Sequence, residues 1–326
     1  MFKKRFGPAS IPLLLLGILF IAACTPNSRV NRNLQDGKAP TKIVSLTLMT
    51  DELLLLLGAE DQTLALSTLA DQRGISNVVE EAKLITLRAP THPEAISNLN
   101  PDLVLLADWS SLDLIQSLEA LGIKTLILPT PRTLDEIIQN VLYLGKVLGK
   151  SDTTQRLVNS LQEVQRVLET FRNSLSVSDK RTILEYDPMG TSGGPQTLWG
   201  DMVRNAGLIN KVELADVGTW GFAPISREAL LRLDPWFLCL PDWSFDPQYP
   251  AEMQLKALQN DVALAQLGAL KENRILYIPE SLRSAASPFM MKGIIVLVQQ
   301  AYPKQWSKFL SHQSQRVREV LDPWLP

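Results

Sequence analysis

Ser151-Asp-Thr-Thr-Gln-Arg-Leu157-Val-Asn-Ser-Leu161-Gln-Glu-Val164-Gln-Arg-Val-Leu168-Glu-Thr-Phe171 carries one apolar stripe. Leu157, Leu161, Val164, Leu168 and Phe171 recur at steps of four, three, four and three, the period of a single helix with one buried face. Ser151 or Asp152 is the expected N-cap, and the pattern runs to about Leu175. About 23 residues at 1.5 Å each span roughly 35 Å, enough to cross between two lobes. Fewer than four heptads are present, so the stretch reads as a tertiary backbone helix rather than a coiled coil.

On both sides of it, strands and helices alternate. Ile43-Val44-Ser45-Leu46 is a short β-branched run, and Asp51 to Leu57 is an apolar helix ended by Gly58. Thr63–Ser67, Leu103–Ala107 and Lys124–Leu128 read as strands, Leu112–Leu121 and Thr133–Leu148 as helices. Beyond the long helix, strands are predicted at Thr182–Tyr186, Trp236–Leu240 and Arg274–Ile278. Helices are predicted at Leu198–Ala206, Glu228–Leu233, Met253–Leu270 and Pro288–Ala301. This spacing gives βα units on mostly parallel sheets, an α/β chain of two three-layer lobes. The halves share a segment. Glu94-Ala-Ile-Ser-Asn-Leu-Asn-Pro101-Asp-Leu-Val-Leu matches Glu228-Ala-Leu-Leu-Arg-Leu-Asp-Pro235-Trp-Phe-Leu-Cys, with seven positions from Glu to Pro in each. Two related lobes follow, at 41–150 and 177–326, joined by the helix at 151–176.

The 326 residues are 45% hydrophobic and 20% charged, an ordinary globular usage with a large core. Lys+Arg 32 against Asp+Glu 34 leaves no basic excess for a nucleic-acid surface. His92 and His312 are the only histidines, too few for a His-rich metal site. Residues 1–24 read as a targeting segment. Lys3, Lys4 and Arg5 precede the apolar run Ile11 to Ile21, too short for a comfortable span. Ile21-Ala22-Ala23-Cys24 then looks like the lipobox of a bacterial lipoprotein, implying cleavage before Cys24, diacylation of its sulfur and attachment outside the cell membrane. Residues 25–40 read as a polar, flexible tether.

The chain resembles the bacterial ABC-transporter substrate-binding proteins for ferric siderophores, cobalamin and haem, over about residues 41–302. The resemblance is carried by Ile43-Val44-Ser45-Leu46 with Glu52-Leu53-Leu54, by Glu94 to Val104, and by Thr191-Ser-Gly-Gly with Ala206-Gly207-Leu208-Ile209-Asn210. Ser226-Arg-Glu228, Leu267 to Ile278 and Ala286-Ser287-Pro288 complete it. One departure is Lys271-Glu272-Asn273, where Lys-Asn-Gly is commoner. The resemblance implies two α/β lobes on one rigid helix, with a metal-chelate ligand captured between them. It implies no cofactor, no catalysis and a monomer, with an ABC permease and its ATPase as partners. It also implies that a glutamate on each lobe, Glu94 and Glu228, docks on permease arginines. Both residues equally suit helix N-termini, Glu94 in a capping box with Thr91 and Glu228 after Ser226.

Ligands of open α/β sheets bind beyond the carboxyl ends of the strands. The loops expected there hold Met49, Arg88 and Trp109 in the first lobe and Trp220, Phe222, Trp243, Phe245, Arg283 and Ser287 in the second. The aromatics would wall a large planar or chelated ligand, and Arg73, Arg88 and Arg283 would bond carboxylate or hydroxamate oxygens. Trp199 and Trp236 are assigned to the core. A citrate- or hydroxamate-based ferric siderophore suits this set. Cobalamin is the alternative, and haem ranks below because an axial His or Tyr is not evident. Ser192-Gly193-Gly194 reads either as an anion cradle or as a tight turn. An extracytoplasmic hydrolase is the rival class, but Cys239 sits in an apolar strand and reads as an inert buried thiol.

Overall fold

The computed structural model describes residues 38–325, apart from Leu214, Ala215, Thr219, Ser244, Phe245, Pro247 and Tyr249. Cys24 and Phe245 lie outside the described residues. In the first lobe, β1 (Ile43–Ser45), β2 (Thr63–Ala65), β3 (Leu103–Ala107) and β4 (Thr125–Leu128) form a parallel sheet in the order β2-β1-β3-β4. Around it lie α1 (Leu48–Leu56), α2 (Pro93–Asn98), α3 (Leu112–Ala120) and α4 (Leu134–Leu148). Every residue of β1 and β3 is buried, as expected of strands covered on both faces.

The long helix, α5 (Ser151–Ser174), follows. The second lobe contains β5 (Thr182–Glu185), β6 (Thr191–Gly193), α6 (Leu198–Asn205), β7 (Ile209–Asn210), β8 (Phe222–Pro224), α7 (Arg227–Leu233) and β9 (Phe237–Asp242). It continues through α8 (Ala251–Asn260), α9 (Gly268–Lys271), β10 (Ile275–Pro279), α10 (Glu280–Arg283) and α11 (Met290–Ala301). Its parallel sheet runs β7-β5-β9-β10, and β6 pairs antiparallel with β8 as a separate ribbon. Taken in chain order, both sheets are wound second, first, third, fourth.

The shared segment occupies the same place in each lobe, α2 into β3 and α7 into β9. Asn100 and Asp234, at φ 51° and 34°, end the two helices in left-handed backbone, and Pro101 and Pro235 then redirect the chain into the strands. A second repeat lies at the first long helix of each lobe. Thr47-Leu-Met-Thr-Asp51 and Thr197-Leu-Trp-Gly-Asp201 both place a capping threonine, whose hydroxyl accepts from the amide three residues on, and a buried aspartate.

One hydrophobic core runs unbroken through both lobes. It joins Ile43, Leu53 and Leu105 to Leu144 and Val164, and on to Ile183, Met202 and Ile295. The outer face of each lobe has its own smaller core, around Ile96 and Leu118 in the first and Leu240 and Leu258 in the second. The chain end returns as α12 (Pro303–Ser311) and α13 (Gln315–Leu321) to brace α5. Buried Phe171 meets the Tyr302, Trp306 and Phe309 rings edge-on, and the Trp324 indole donates to Ser160 Oγ at 2.9 Å. Truncating such a ring costs about 3–5 kcal/mol.

Several expectations need correction. The N-cap of α5 is Lys150, with no side-chain cap. The predicted helix Met253–Leu270 is broken, because Asp261 adopts extended backbone after α8 and its carboxylate accepts from the Ala263 and Leu264 amides. Thr91 does not cap α2. His92 stands at the N-cap without a side-chain bond, and Pro93 opens the helix. Trp236 is not core: it is 40% exposed, and two guanidinium groups lie over its ring, Arg181 at 4.6 Å and Arg274 at 3.9 Å.

Candidate ligand cleft

Segments that follow strands of the two sheets meet, joined by hydrogen bonds between the lobes. α1 follows β1 directly, and α10 follows β10 directly, so both segments stand at strand ends. The Ser281 amide donates to Gly74 O at 3.0 Å, and Asn77 Nδ2 donates to Ser281 O at 2.8 Å. Ser287 Oγ donates to Glu52, which also accepts from the Asn77 amide at 3.0 Å and from its Nδ2 at 2.8 Å. Further along, the Leu134 amide donates to Asp201 at 2.9 Å. These contacts make a closed floor between the lobes.

Glu52 is almost wholly buried, and burial pushes its carboxyl up to about 7. Bonds from Ser287 and Asn77 work against that rise, and the neighbouring Asp51 adds to it. Asp51 is itself pushed up to about 6, again by burial, although Ser45 and Ser67 hydrogen bonds oppose the shift. Neither carboxylate stood out in the sequence as a site residue. Its available signal was two acids inside the apolar run Leu48–Leu57, a position that exposed acids do not take.

Four of the expected ligand residues present their rings at the strand ends. Trp109, two residues beyond β3, is 61% exposed, Trp220 is 82% exposed and Phe222 is 46% exposed. Trp243, just past β9, is half-buried. Phe222 is held by pairing with Gly193 in the β6–β8 ribbon.

Of the remaining expected residues that are described, Arg73 is exposed and paired with Glu80, and the other four are taken up by contacts within the fold. Met49 and Ser287 are buried. Arg88 is engaged at all five donors: Nε and Nη2 on the Asp71 carboxylate, Nη1 on the carbonyls of Ile85 and Leu87, and Nη2 again on that of Ala82. It fastens the loop between β2 and α2. Arg283 forks onto Glu280 at 2.7 and 3.0 Å and reaches Glu185 at 2.8 Å. Glu185 in turn accepts from the Gly193 amide at 3.0 Å, so this buried chain anchors the ribbon under Phe222.

Ser192-Gly193-Gly194 is neither a cradle nor a tight turn: Ser192 and Gly193 belong to β6 and pair with β8. The Gly194 amide donates to Gly221 O at 2.8 Å, and a Cβ on Gly194 would meet Val217 at 2.4 Å. Its amides are therefore engaged within the chain. Cys239 is fully buried, and burial pushes its thiol well up. Among the described residues, no group of three or more His, Cys, Asp or Glu is placed to hold a metal, and no helix is long and apolar enough to cross a membrane.

Glu94 and Glu228 are both exposed in the first turn of their helices. The Ser226 hydroxyl caps α7 by accepting from the Ala229 amide at 3.1 Å. The helix-terminal amide of Glu228 itself, and then Ser226, hold the Glu228 carboxyl below its ordinary value.

Known proteins share this architecture. A Bacillus subtilis (strain 168) protein described as "Uncharacterized ABC transporter substrate-binding lipoprotein YvrC" is 22% identical over 279 residues, covering 84% of this chain and 83% of its own. The molybdate periplasmic binding protein MolA of Haemophilus influenzae, solved bound to molybdate, superposes with a TM-score of 0.69 at 18% identity, over 88% of this chain and 91% of its own. A structure described as an ABC-type Fe3+-hydroxamate transport system, from Saccharomonospora viridis DSM 43017, gives 0.62 at 20% identity, over 81% and 93%. Residues 43–282 match the family described as periplasmic binding protein, from the first strand through α10, and the chain belongs to that family.

Proposed function

We propose that this protein is the substrate-binding component of an ABC importer, capturing a metal chelate between its lobes and handing it to a membrane permease and its ATPase. The observation that carries this reading is the set of exposed aromatic rings, Trp109 just beyond β3 on one lobe and Trp220 and Phe222 at the start of β8 on the other. A ferric siderophore is the first cargo. Its organic shell offers apolar surface for such rings to cover, and a structure of this fold is described as an ABC-type Fe3+-hydroxamate transport system. Cobalamin is second, since its corrin face stacks equally well on aromatic walls.

The protein works as a lipid-anchored carrier outside the cell membrane, tethered through Cys24. The lipobox reading supports this, and the Bacillus relative is described as a lipoprotein. Glu94 and Glu228, one per lobe at matching places, present the docking carboxylates to the permease.

Titration of the full chain in detergent, read by tryptophan emission, tests the reading. Saturable one-to-one binding of a ferric siderophore at micromolar or tighter affinity supports it. Cobalamin binding alone moves the cargo to the second reading. Turnover of a bound compound would instead make the protein an enzyme.

A further inference from the structure

Resting on the carrier reading above, we infer that the cleft sorts its cargo by charge, accepting metal chelates of zero or positive net charge and rejecting polyanionic ones.

The cations that would hold an anion at the strand ends are already engaged. Arg88 has no free donor, since Asp71 and three backbone carbonyls take all five. Arg283 is buried beneath the β6–β8 ribbon between Glu280 and Glu185. Burial works against its charge, but the two carboxylates outweigh that and keep it a cation. Arg73 and Lys83 both pair with Glu80. Arg132 and Lys211 remain: Arg132 follows the edge strand β4, and Lys211 shares the segment after β7 with Glu213 and Asp216, which outnumber it.

The carboxylates of the same loops are less restrained. Glu213 and Asp216 are exposed in the segment that leads to Trp220, and Asp246 follows Trp243. Across all the strand-end loops, acidic residues outnumber basic ones. An anion entering between aromatic walls would lose its water, find among the described residues no unpaired cation on the loops of the central strands to replace it, and face like charge. A neutral chelate meets no such penalty, and a free ammonium on the chelate gains from the acidic lip. The fold itself does not impose this choice, because the MolA structure of the same architecture holds molybdate, an oxyanion.

The test is a charge series on the full chain in detergent, with affinities by calorimetry as well as emission. The probes are a neutral cyclic ferric trihydroxamate, a linear ferric trihydroxamate bearing an ammonium, ferric dicitrate and a ferric tris-catecholate. The first two should bind about 100-fold or more tightly than the last two. Affinity for the neutral probe should scarcely change as salt rises, while added salt should narrow the gap to the anions. The double variant Glu213→Lys with Asp216→Lys should gain about tenfold for ferric dicitrate. Equal or tighter binding of an anionic probe overturns the charge rule and leaves the carrier reading standing. Failure of every chelate to bind overturns the carrier reading, and this inference with it.

Discussion

Ser287 and Glu52 lie 235 positions apart in the chain and are joined by a hydrogen bond from the serine hydroxyl to the buried carboxylate. The bond crosses from the second lobe to the first, and Asn77 doubles it by donating both to Glu52 and to the Ser281 carbonyl. Three donors converge on one carboxylate with little water around it. Such a group orients the lobes firmly, but it carries a charge the interior disfavours.

The consequence is a pH dependence of stability. Between the ordinary glutamate value and about 7, the folded chain keeps a proton on Glu52 that the unfolded chain has already released. Stability therefore falls as pH rises through that window, and Asp51, raised to about 6, adds in the same direction. Glu52 alone contributes on the order of 3 kcal/mol at most. Glu52→Gln, which keeps the shape and can donate to Ser287, should melt well above the unsubstituted protein at pH 8 and nearly with it at pH 4.5. Thermal melts across that range check this, and a difference that does not grow with pH would refute it.

The unbroken core through α4, α5 and α11 bears on motion. Hinged lobes need a thin connection, whereas here Val164 and Phe171 of α5 belong to a core that also contains Ile43 and Ile183. Opening the lobes would expose that core along with the floor bonds. Small-angle scattering should give superimposable profiles with and without saturating cargo. A clear compaction on binding would contradict the rigid frame.

Docking and capture should be separable. Glu94 and Glu228 are exposed on helix starts, and neither lies on the aromatic loops. Glu94→Lys or Glu228→Lys should lower uptake into cells or vesicles by about tenfold or more, because a docking charge is reversed, while cargo affinity stays within about twofold. Loss of affinity in step with uptake would place these residues at the cargo instead.

The frame of the molecule was legible because it rests on periodicity. The α5 stripe, the left-handed stops at Gly58, Gly149 and Gly207, and the repeated Glu-to-Pro segment all leave local marks. The departure at Asn273 is legible in hindsight too: it takes φ 52°, the left-handed turn position for which glycine is the easier residue. The site was only half legible. Exposed aromatics at strand ends follow from topology, but the fate of an arginine depends on which carboxylate folds beside it. Asp71 lies 17 positions from Arg88, and Glu185 lies 98 from Arg283, so neither pairing has a local signature. Glu52 was missed because a buried carboxylate in an apolar helix looks like a single polar interruption. Trp236 was misassigned because its strand is apolar, while its own partners are Arg181 and Arg274.

Trp236 and Trp220 provide the sharpest contrast, since one residue type serves two purposes. Trp236 carries the Arg181 and Arg274 guanidinium groups over its ring, and Arg274 Nε also donates to its carbonyl at 2.8 Å. Those contacts are structural, each cation–π pair contributing roughly 0.5–1 kcal/mol at an exposed site. Trp220 is 82% exposed in the loop that leads into β8. Trp236→Leu should therefore lower stability by about 1–2 kcal/mol and leave cargo affinity unchanged. Trp220→Ala should leave the melting temperature within about a degree or two, as surface substitutions do, and weaken cargo binding about tenfold or more through the lost stacking face. Denaturant melts and calorimetric titrations of the two variants, run side by side, decide the matter. If Trp236→Leu weakened binding, or Trp220→Ala left it intact, the aromatic lip would have to be placed elsewhere on the lobes.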